Sequence, residues 1–492
     1  MTNPVPKIRI LEQNQMPVLE DREFVLYWMI ANRRLEWNFA LQHAIEEANR
    51  LQKPLVILEA LRIGYPWASD RLHTFVLQGM VDNQKDAEYH SICYYPYIEM
   101  ETNAGKGLLE ALSKRACCVV TDYFPCFFLP KMVQSAAKKI DIKMEAIDSN
   151  GIYPVAHPDR DFSTAASFRR HLQKNILPFV TNLPKAKPLI DLQHRDIDIS
   201  EIQEQWTSIA PSTILEQDLL KNIPINHNIK PVKKLGGRKT ALEIADLFLT
   251  SKLDRYHSDR NALEDGAASG LSPYIHFGHI SVHELVAAVI EKEGWSEIHV
   301  ASKPNGSREG WWGMSKGSES LMDELITWRE LGYVFCHRHL EDYNKLSSLP
   351  AWALTTIEEH KHDKRPITYT LEQMENAQTH DELWNAAQRQ LLREGIIHNY
   401  VRMLWGKKIY EWSENAEVAI KNLIELNNRY AIDGRNPNSY SGIFWITGRF
   451  DRAWGPVRPI FGKLRYMASG STQKKLKTAG YEKRYSKDSL DL

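Results

Sequence analysis

The 492-residue sequence predicts two domains of different class, an N-terminal α/β domain on a parallel sheet and an all-α C-terminal domain. Three observations carry this. Continuous apolar, β-prone runs alternate with helical periodicity through the first third of the chain. A stretch rich in Pro, Asn, Asp and Ile follows without sustained period, and from Arg238 onward helical patterns prevail. A chain of this length exceeds one ordinary core, so two or three domains are expected. The boundaries drawn on this basis are 1–185 for the α/β domain, 186–235 for a connector and 236–492 for the helical domain.

Taken in order, FVLYWMI (24–30) is a buried-strand pattern, EWNFALQHAIEEANRLQ (36–52) a helix and PLVILEAL (54–61) a second strand. Together they form a βαβ unit, which requires a parallel sheet with helices on its faces. CCVVTDYF (117–124) and IKMEAID (142–148) are further strand candidates. No GxGxxG follows the first strand, which argues against a standard dinucleotide role. The connector carries one short helix, expected around SEIQEQW. Beyond it, TALEIADLFLTSKL, ISVHELVAAVIEKEG, ESLMDELITWRELGYVF, DELWNAAQRQLLREG, NYVRMLWGKKIYEW and AEVAIKNLIELNNRY each repeat apolar residues at helical spacing.

Composition excludes several classes. With 43% hydrophobic and 25% charged residues and no apolar run long enough for a bilayer, a membrane protein is not expected. The polar N-terminus lacks the apolar stretch of a signal peptide, so a cytoplasmic location is predicted. Five cysteines without a CxxC pair predict neither a disulfide framework nor a zinc site, and no metal is expected. Formal net charge is zero, yet residues 435–492 hold twelve Lys or Arg against four Asp or Glu. That local excess suits a polyanionic partner.

Tryptophan is concentrated in 380–412, where Trp384, Trp405 and Trp412 stand among good helix formers. Trp405 and Trp412 lie on one helix face, about 10 Å apart along the axis. Such a stripe is ordinarily core packing. A parallel α/β domain, a connector and a helical domain with clustered tryptophans resembles the photolyase and cryptochrome superfamily, and the segments SGLSPYIHFGHIS (269–281), DELITWREL (323–331), LNNRYAIDGRNPNSYSGIFW (426–445) and RPIFGKLRYM (458–467) resemble class II cyclobutane pyrimidine dimer photolyases. The resemblance spans most of the chain. It implies a Rossmann-like antenna domain and an all-α FAD-binding domain, with the reduced, anionic flavin active. It also implies ultraviolet-damaged DNA as partner, a monomer, and a cytoplasmic enzyme that joins the nucleoid when bound to DNA. The antenna domain is the seat expected for a pigment of the deazaflavin type.

By that resemblance Tyr256, Ser269, Leu271 and Ser272 surround the FAD phosphates and ribose, and a Ser-rich turn before a helix suits an anion. Asn427 faces the flavin N5, where a neutral amide can donate or accept, and Arg402 with Asp433 forms an ion pair beside the ring system. Glu324 hydrogen-bonds the thymine carbonyls, while Trp328, Trp445 and Met403 complete the lesion pocket; Glu324 and Trp328 are four apart and share a helix face. Trp454 and Arg465 enter the gap left by the extruded lesion. Trp405, Trp384 and Trp412 match the family electron-transfer chain, with Tyr369 at its exit. The implied reaction is transfer of an electron from excited reduced FAD to the dimer, splitting of the C–C bonds and return of the electron.

Three departures from the class II pattern stand out. Asn436 and Ser439 replace Asp and Gly, Leu404 replaces a Tyr, and the turn between Trp445 and Trp454 is one residue shorter. The segments 308–320 and 334–339 are also unlike it. Competing readings are a cryptochrome-like photosensor, repair of the (6-4) photoproduct through His276, His337 or His339, and a dark flavin oxidoreductase.

Overall fold

A computed structural model describes residues 4–488. It divides into two compact units: residues 1–157, 176–246 and 271–291 form the first, and 158–175, 247–270 and 292–492 the second. Neither unit is continuous in sequence, so the compact units do not follow the boundaries expected at 185 and 235. The stretch expected as a connector contributes to the first unit's core. Ile214, Leu220 and Ile223 pack with Leu61, Val76, Leu77, Met80 and Ile98. The expected connector helix is present as Ser200–Gln205, and a second, Pro211–Glu216, begins on a proline whose missing N–H is harmless there.

Among the described residues the first unit holds a sheet of six strands: β1 (Ile10–Glu12), β2 (Phe24–Met29), β3 (Leu55–Leu61), β4 (Cys93–Ile98), β5 (Ala116–Asp122) and β6 (Met144–Ile147). Their order is β1-β6-β5-β2-β3-β4. All neighbours run parallel except β1, which pairs antiparallel with β6. β2 and β5 are buried along their whole length, as their apolar runs require. The two strands that sequence reasoning did not list, β1 and β4, are the edges. β4 carries Pro96, which a central strand could not accommodate.

Helix Phe39–Leu51 links β2 to β3 and starts at Asn38, whose side chain accepts from the backbone N–H groups of Ala40 and Leu41. The turn before it is organised by a carboxylate where a dinucleotide-binding fold has glycines. Asp122, at the end of β5, accepts from the N–H groups of Ile30 (2.8 Å), Ala31 (2.8 Å) and Asn32 (3.0 Å) and from the Tyr27 hydroxyl (2.8 Å). A buried anion already holds the donors that would cradle a phosphate there, which is the physical reason the fingerprint is missing.

In the second unit every regular element is helical among the described residues. Its core gathers helices Glu382–Glu394, Asn399–Trp412, Ala416–Tyr430 and Pro437–Ile446 around Trp384, Leu404, Trp405, Leu423 and Phe444. Leu404, one of the departures, is wholly buried in that core. No helix among the described residues is long and apolar enough to cross a membrane, no group of metal-ligating side chains is found, and no disulfide joins the cysteines.

Candidate active site

Glu324 sits on a π-helical turn, Asp323–Trp328, inserted between helices Lys316–Met322 and Arg329–Arg338. Such widened turns arise where side chains must be re-aimed, and they recur at functional sites. Here it sends two adjacent carboxylates to different partners. Asp323 takes a two-pronged ion pair from Arg169 (2.6 and 3.0 Å), while Glu324 pairs with Arg260 at 2.9 Å. Arg260 also donates to the Ser320 hydroxyl (2.8 Å). Burial raises the Glu324 pKa above its usual value, against the pull of Arg260.

Arg260 was not among the residues expected from sequence. Its place follows from Gly317, since a Cβ there would meet the Leu253 carbonyl oxygen at 2.0 Å. Glycine lets helix Lys316–Met322 approach the Leu253–Arg255 turn closely, which brings Tyr256 and Arg260 beside Glu324. Tyr256 is buried with the Arg260 guanidinium 5.7 Å from its ring centroid; burial and the nearby Glu324 charge both raise its pKa. The position of Arg260, four residues after Tyr256 on the same short helical stretch, is the signal that could have found it.

Trp328 is half-buried, and its carbonyl accepts from the Asn438 amide at 3.2 Å. That bond ties the Glu324 segment to helix Pro437–Ile446, which carries Trp445 at its far end. Asn436 caps this helix by accepting from the Ser439 N–H (2.8 Å), and the Ser439 hydroxyl donates to the Asp433 carbonyl (3.0 Å). Asn serves as well as Asp at an N-cap, so both departures preserve the helix start. Met403 is half-buried on the Asn399–Trp412 helix.

Trp445 and Trp454 are also half-buried and share one cation: the Arg465 guanidinium lies 5.4 Å from the first ring and 4.2 Å from the second. Arg452 lies 4.6 Å from the Trp454 ring, and Asp451 accepts from the Trp454 indole N–H (3.1 Å) while pairing with Arg465 at 3.6 Å. Indole faces and guanidinium groups in one cluster suit an unstacked nucleic acid strand.

Lys407, a second residue the sequence did not single out, lies behind Trp445. Its buried ammonium donates to the Ile446 carbonyl (2.7 Å), capping the Trp445 helix, and stands 5.2 Å from the Trp445 ring. Burial lowers its pKa from 10.5 to about 7, although Asp451 opposes the shift. Below pH 7 both folded and unfolded chains carry the charge, and the group's contribution to stability is least. As pH rises from 7 towards 10.5 only the unfolded chain keeps the proton, so the contribution grows by up to ~1.4 kcal/mol per pH unit. Urea unfolding of the wild type and Lys407→Met, at pH 7.5 and 9, is expected to show the difference between them moving in favour of the wild type. A pH-independent difference would mean the buried amine stays charged.

Arg402 and Asp433 form the expected ion pair (3.1 Å). Asn427 is buried and its amide donates to the Asn428 side-chain oxygen at 3.1 Å. Asn428 in turn donates to the Tyr440 hydroxyl (3.2 Å) and accepts from the Arg435 N–H (2.9 Å). Gly434 is required here because a Cβ would meet the Asn427 carbonyl at 2.8 Å, so the 431–435 turn folds directly over the end of the Asn427 helix. This shell fixes the orientation of the asparagine amide.

The expected phosphate-side residues divide between the two units: Tyr256 and Ser269 belong to the second, Leu271 and Ser272 to the first. Ser269 is half-buried, Gly270 turns the chain at φ 70°, Leu271 is buried, and exposed Ser272 begins the short helix Ser272–His276.

The three tryptophans form a continuous series of ring contacts. Trp384 stacks parallel to Trp405 (centroids 6.4 Å, interplanar angle 4°) and meets Trp412 edge-on at 5.5 Å. The Trp384 indole N–H donates to the Trp405 carbonyl (3.0 Å), and that of Trp405 to Gln388 (2.9 Å). Trp412 contacts Tyr369 at 5.3 Å and exposed His380 at 5.4 Å, and the Tyr369 hydroxyl lies 2.6 Å from the His380 Nδ1. The three indoles are buried, and the series reaches the surface at Tyr369 and His380. All three indoles belong to the hydrophobic core of the second unit.

Of the three histidines considered for (6-4) chemistry, His339 is held between Asp342 (3.0 Å) and Asp161 (3.1 Å), and His276 packs against Phe124 and Phe277. His337 is half-buried on the last turn of helix Arg329–Arg338.

No family model matches the chain. It is 32% identical over 459 residues to a deoxyribodipyrimidine photo-lyase of Methanothermobacter thermautotrophicus, covering 93% of each chain. Against the deoxyribodipyrimidine photo-lyase of Arabidopsis thaliana it is 29% identical, covering 96% of this chain and 91% of the relative. For that of Potorous tridactylus the figures are 28%, 98% and 84%. Among solved structures, a class III photolyase from Agrobacterium tumefaciens aligns with TM-score 0.64 at 16% identity, over 94% of this chain and 86% of that one. An archaeal photolyase from Sulfolobus tokodaii, solved with two FAD molecules, aligns with TM-score 0.64 at 15% identity over 94% and 90%. The fold is therefore that of the photolyase and cryptochrome superfamily. Within it, the chain belongs to the deoxyribodipyrimidine photo-lyase family.

Proposed function

We propose that the protein is a class II photolyase, a carbon–carbon lyase that repairs cyclobutane pyrimidine dimers in ultraviolet-damaged DNA under blue light. The observation that carries this reading is the Glu324–Arg260 pair on the π-helical turn, on the same turn as Trp328 and tied through it to the helix of Trp445. Burial favours the protonated form of Glu324, which would donate to a pyrimidine carbonyl, and the Arg260 guanidinium beside it would stabilise the extra charge the dimer acquires. Indole faces offset the lost stacking of an extruded dimer by about 1–3 kcal/mol per base. Extrusion itself requires a few kcal/mol, and less for a damaged base. Trp454 and Arg465 would fill the gap in the duplex and hold the strand.

The residues fit FAD. A neutral, oriented amide at Asn427 and a balanced Arg402–Asp433 pair suit a ring whose charge changes, and the buried Arg402 Nε has no hydrogen-bond partner among the described residues. FAD, when bound, supplies the light-excited one-electron donor. Asn427 would offer its amide to the ring, Arg402 and Asp433 would fix the charge beside it, and the ring series Trp405, Trp384 and Trp412 would provide a path for oxidising equivalents to the surface. Tyr256, Ser269, Leu271 and Ser272 would hold the phosphates and ribose. The α/β unit could hold an antenna pigment, a deazaflavin or another, and the protein is proposed to act as a cytoplasmic monomer. An absorption spectrum of the purified protein would show a band beyond those of flavin if the pigment is present.

The experiment that tests this function is repair of an oligonucleotide bearing one thymine dimer, in blue light and in darkness, beside one bearing a (6-4) photoproduct. Light-dependent repair of the dimer alone is expected. Dark turnover, or repair of only the (6-4) lesion, would refute it.

A further inference from the structure

Residues 295–313 form a loop built around three indoles. The Trp295 indole N–H donates to the Trp312 carbonyl (2.6 Å), Trp311 and Trp312 pack edge-on at 4.7 Å, and the Ala301 N–H bonds the Trp311 carbonyl (2.9 Å). Its tip is fastened on both sides. Gln173 exchanges bonds with Gly306 (2.7 Å) and Ser307 (3.0 Å), Arg170 donates to the Asn305 carbonyl (3.1 Å), and Arg169 donates to the Gly306 carbonyl (3.2 Å) while gripping Asp323. On the other side Glu319 accepts from the N–H groups of Gly310 and Gly313.

Arg308 stands between these two sets of ties. It is exposed and makes no hydrogen bond or ion pair among the described residues. Its anchors, Arg169–Asp323 and Glu319, lie immediately before Glu324 on the same helical run, and the Arg308 charge acts on the Glu324 carboxyl. A loop with so many of its backbone groups engaged, and tied through Arg169–Asp323 and Glu319 to the helical run that carries Glu324, therefore presents one exposed guanidinium on its tip. Lys303 and Glu309 flank it on the same tip.

We infer that Arg308 binds a backbone phosphate of the extruded lesion strand, supplying a contact specific to dimer-containing DNA. The planar fork of arginine matches two phosphate oxygens, and a preordered loop spares the ordering entropy that a mobile side chain would lose. The inference rests on the lesion-pocket reading above.

Fluorescence anisotropy of the full-length protein, with a duplex bearing one thymine dimer and its undamaged counterpart over a range of salt concentrations, tests it. For Arg308→Ala the slope of log K against log salt on the dimer duplex is expected to fall by about 0.9, the share of one phosphate. Affinity for that duplex should drop about tenfold at low salt, with undamaged DNA unaffected and Arg308→Lys retaining most of the slope. A wild-type slope for Arg308→Ala on the dimer duplex would overturn the assignment, as would an equal change on both duplexes. If the wild type fails to prefer the dimer duplex at all, the lesion pocket itself is refuted; if that preference stands, only the role of Arg308 falls. An unchanged thermal midpoint for Arg308→Ala would show that folding is not involved.

Discussion

Glu324→Ala is expected to lower dimer repair by about 10- to 100-fold, the effect of removing a hydrogen bond to a charged group worth about 1.5–3 kcal/mol. Two consequences combine. On the proposed function the dimer loses the group that orders its carbonyls, and Arg260 loses its 2.9 Å partner while keeping its bond to Ser320 and its contact with the Tyr256 ring. Glu324→Gln should fall between, because its amide can donate to a carbonyl as a protonated carboxyl would, but it no longer pairs as an ion with the guanidinium. The order wild type, Gln, Ala should appear in single-turnover repair by the reduced protein under a fixed light dose. If Ala repairs as fast as wild type while binding equally well, Glu324 has no role in the reaction. Removing the carboxyl relieves a burial penalty but leaves the Arg260 charge without its ionic partner, so thermal unfolding of each variant is to be measured beside repair.

Trp405→Phe is expected to abolish light-driven reduction of the bound flavin while leaving repair by chemically reduced protein near wild type. Benzene rings are far harder to oxidise than indoles, so the relay would lose its first member without a large change in shape. The substitution also removes the bond to buried Gln388, costing about 1–3 kcal/mol for the unpaired acceptor, plus a small cavity. Such a loss is tolerable in a domain of this size. Trp384→Phe should interrupt the same path one step further on, since Trp384 is in ring contact with both Trp405 and Trp412. Absorbance of the flavin band under blue light with an external reductant measures both. Full photoreduction in Trp405→Phe would show that electrons enter by another route.

These two expectations differ in how far they could be read before the structure. Residue type alone read the tryptophans as core packing and the family resemblance implied a relay; geometry joined Trp384 by ring contact to both Trp405 and Trp412. Glu324 and Trp328 were singled out by the family resemblance, their four-residue spacing placing them only on one helix face, and the π-helical turn that carries them was not legible. Arg260 and Lys407 escaped notice because nothing in their local pattern marks a cation that will be drawn against a distant carboxylate or beneath an indole.

The sequence by itself determined the α/β and all-α classes, the βαβ start at β2 and β3, the absence of a glycine phosphate loop, the run of C-terminal helices and the cap at Asn436. All of these are written in burial periods and in side chains acting on their own neighbours. Tertiary structure alone decided the two edge strands, the discontinuous compact units, the pairing of Arg260 with Glu324, the capping of the Trp445 helix by Lys407 and the exposure of Arg308. The physical reason is range: periodicity records which face of an element is buried, whereas charge pairs between remote segments depend on where close packing, through glycines such as Gly317, permits two backbones to meet.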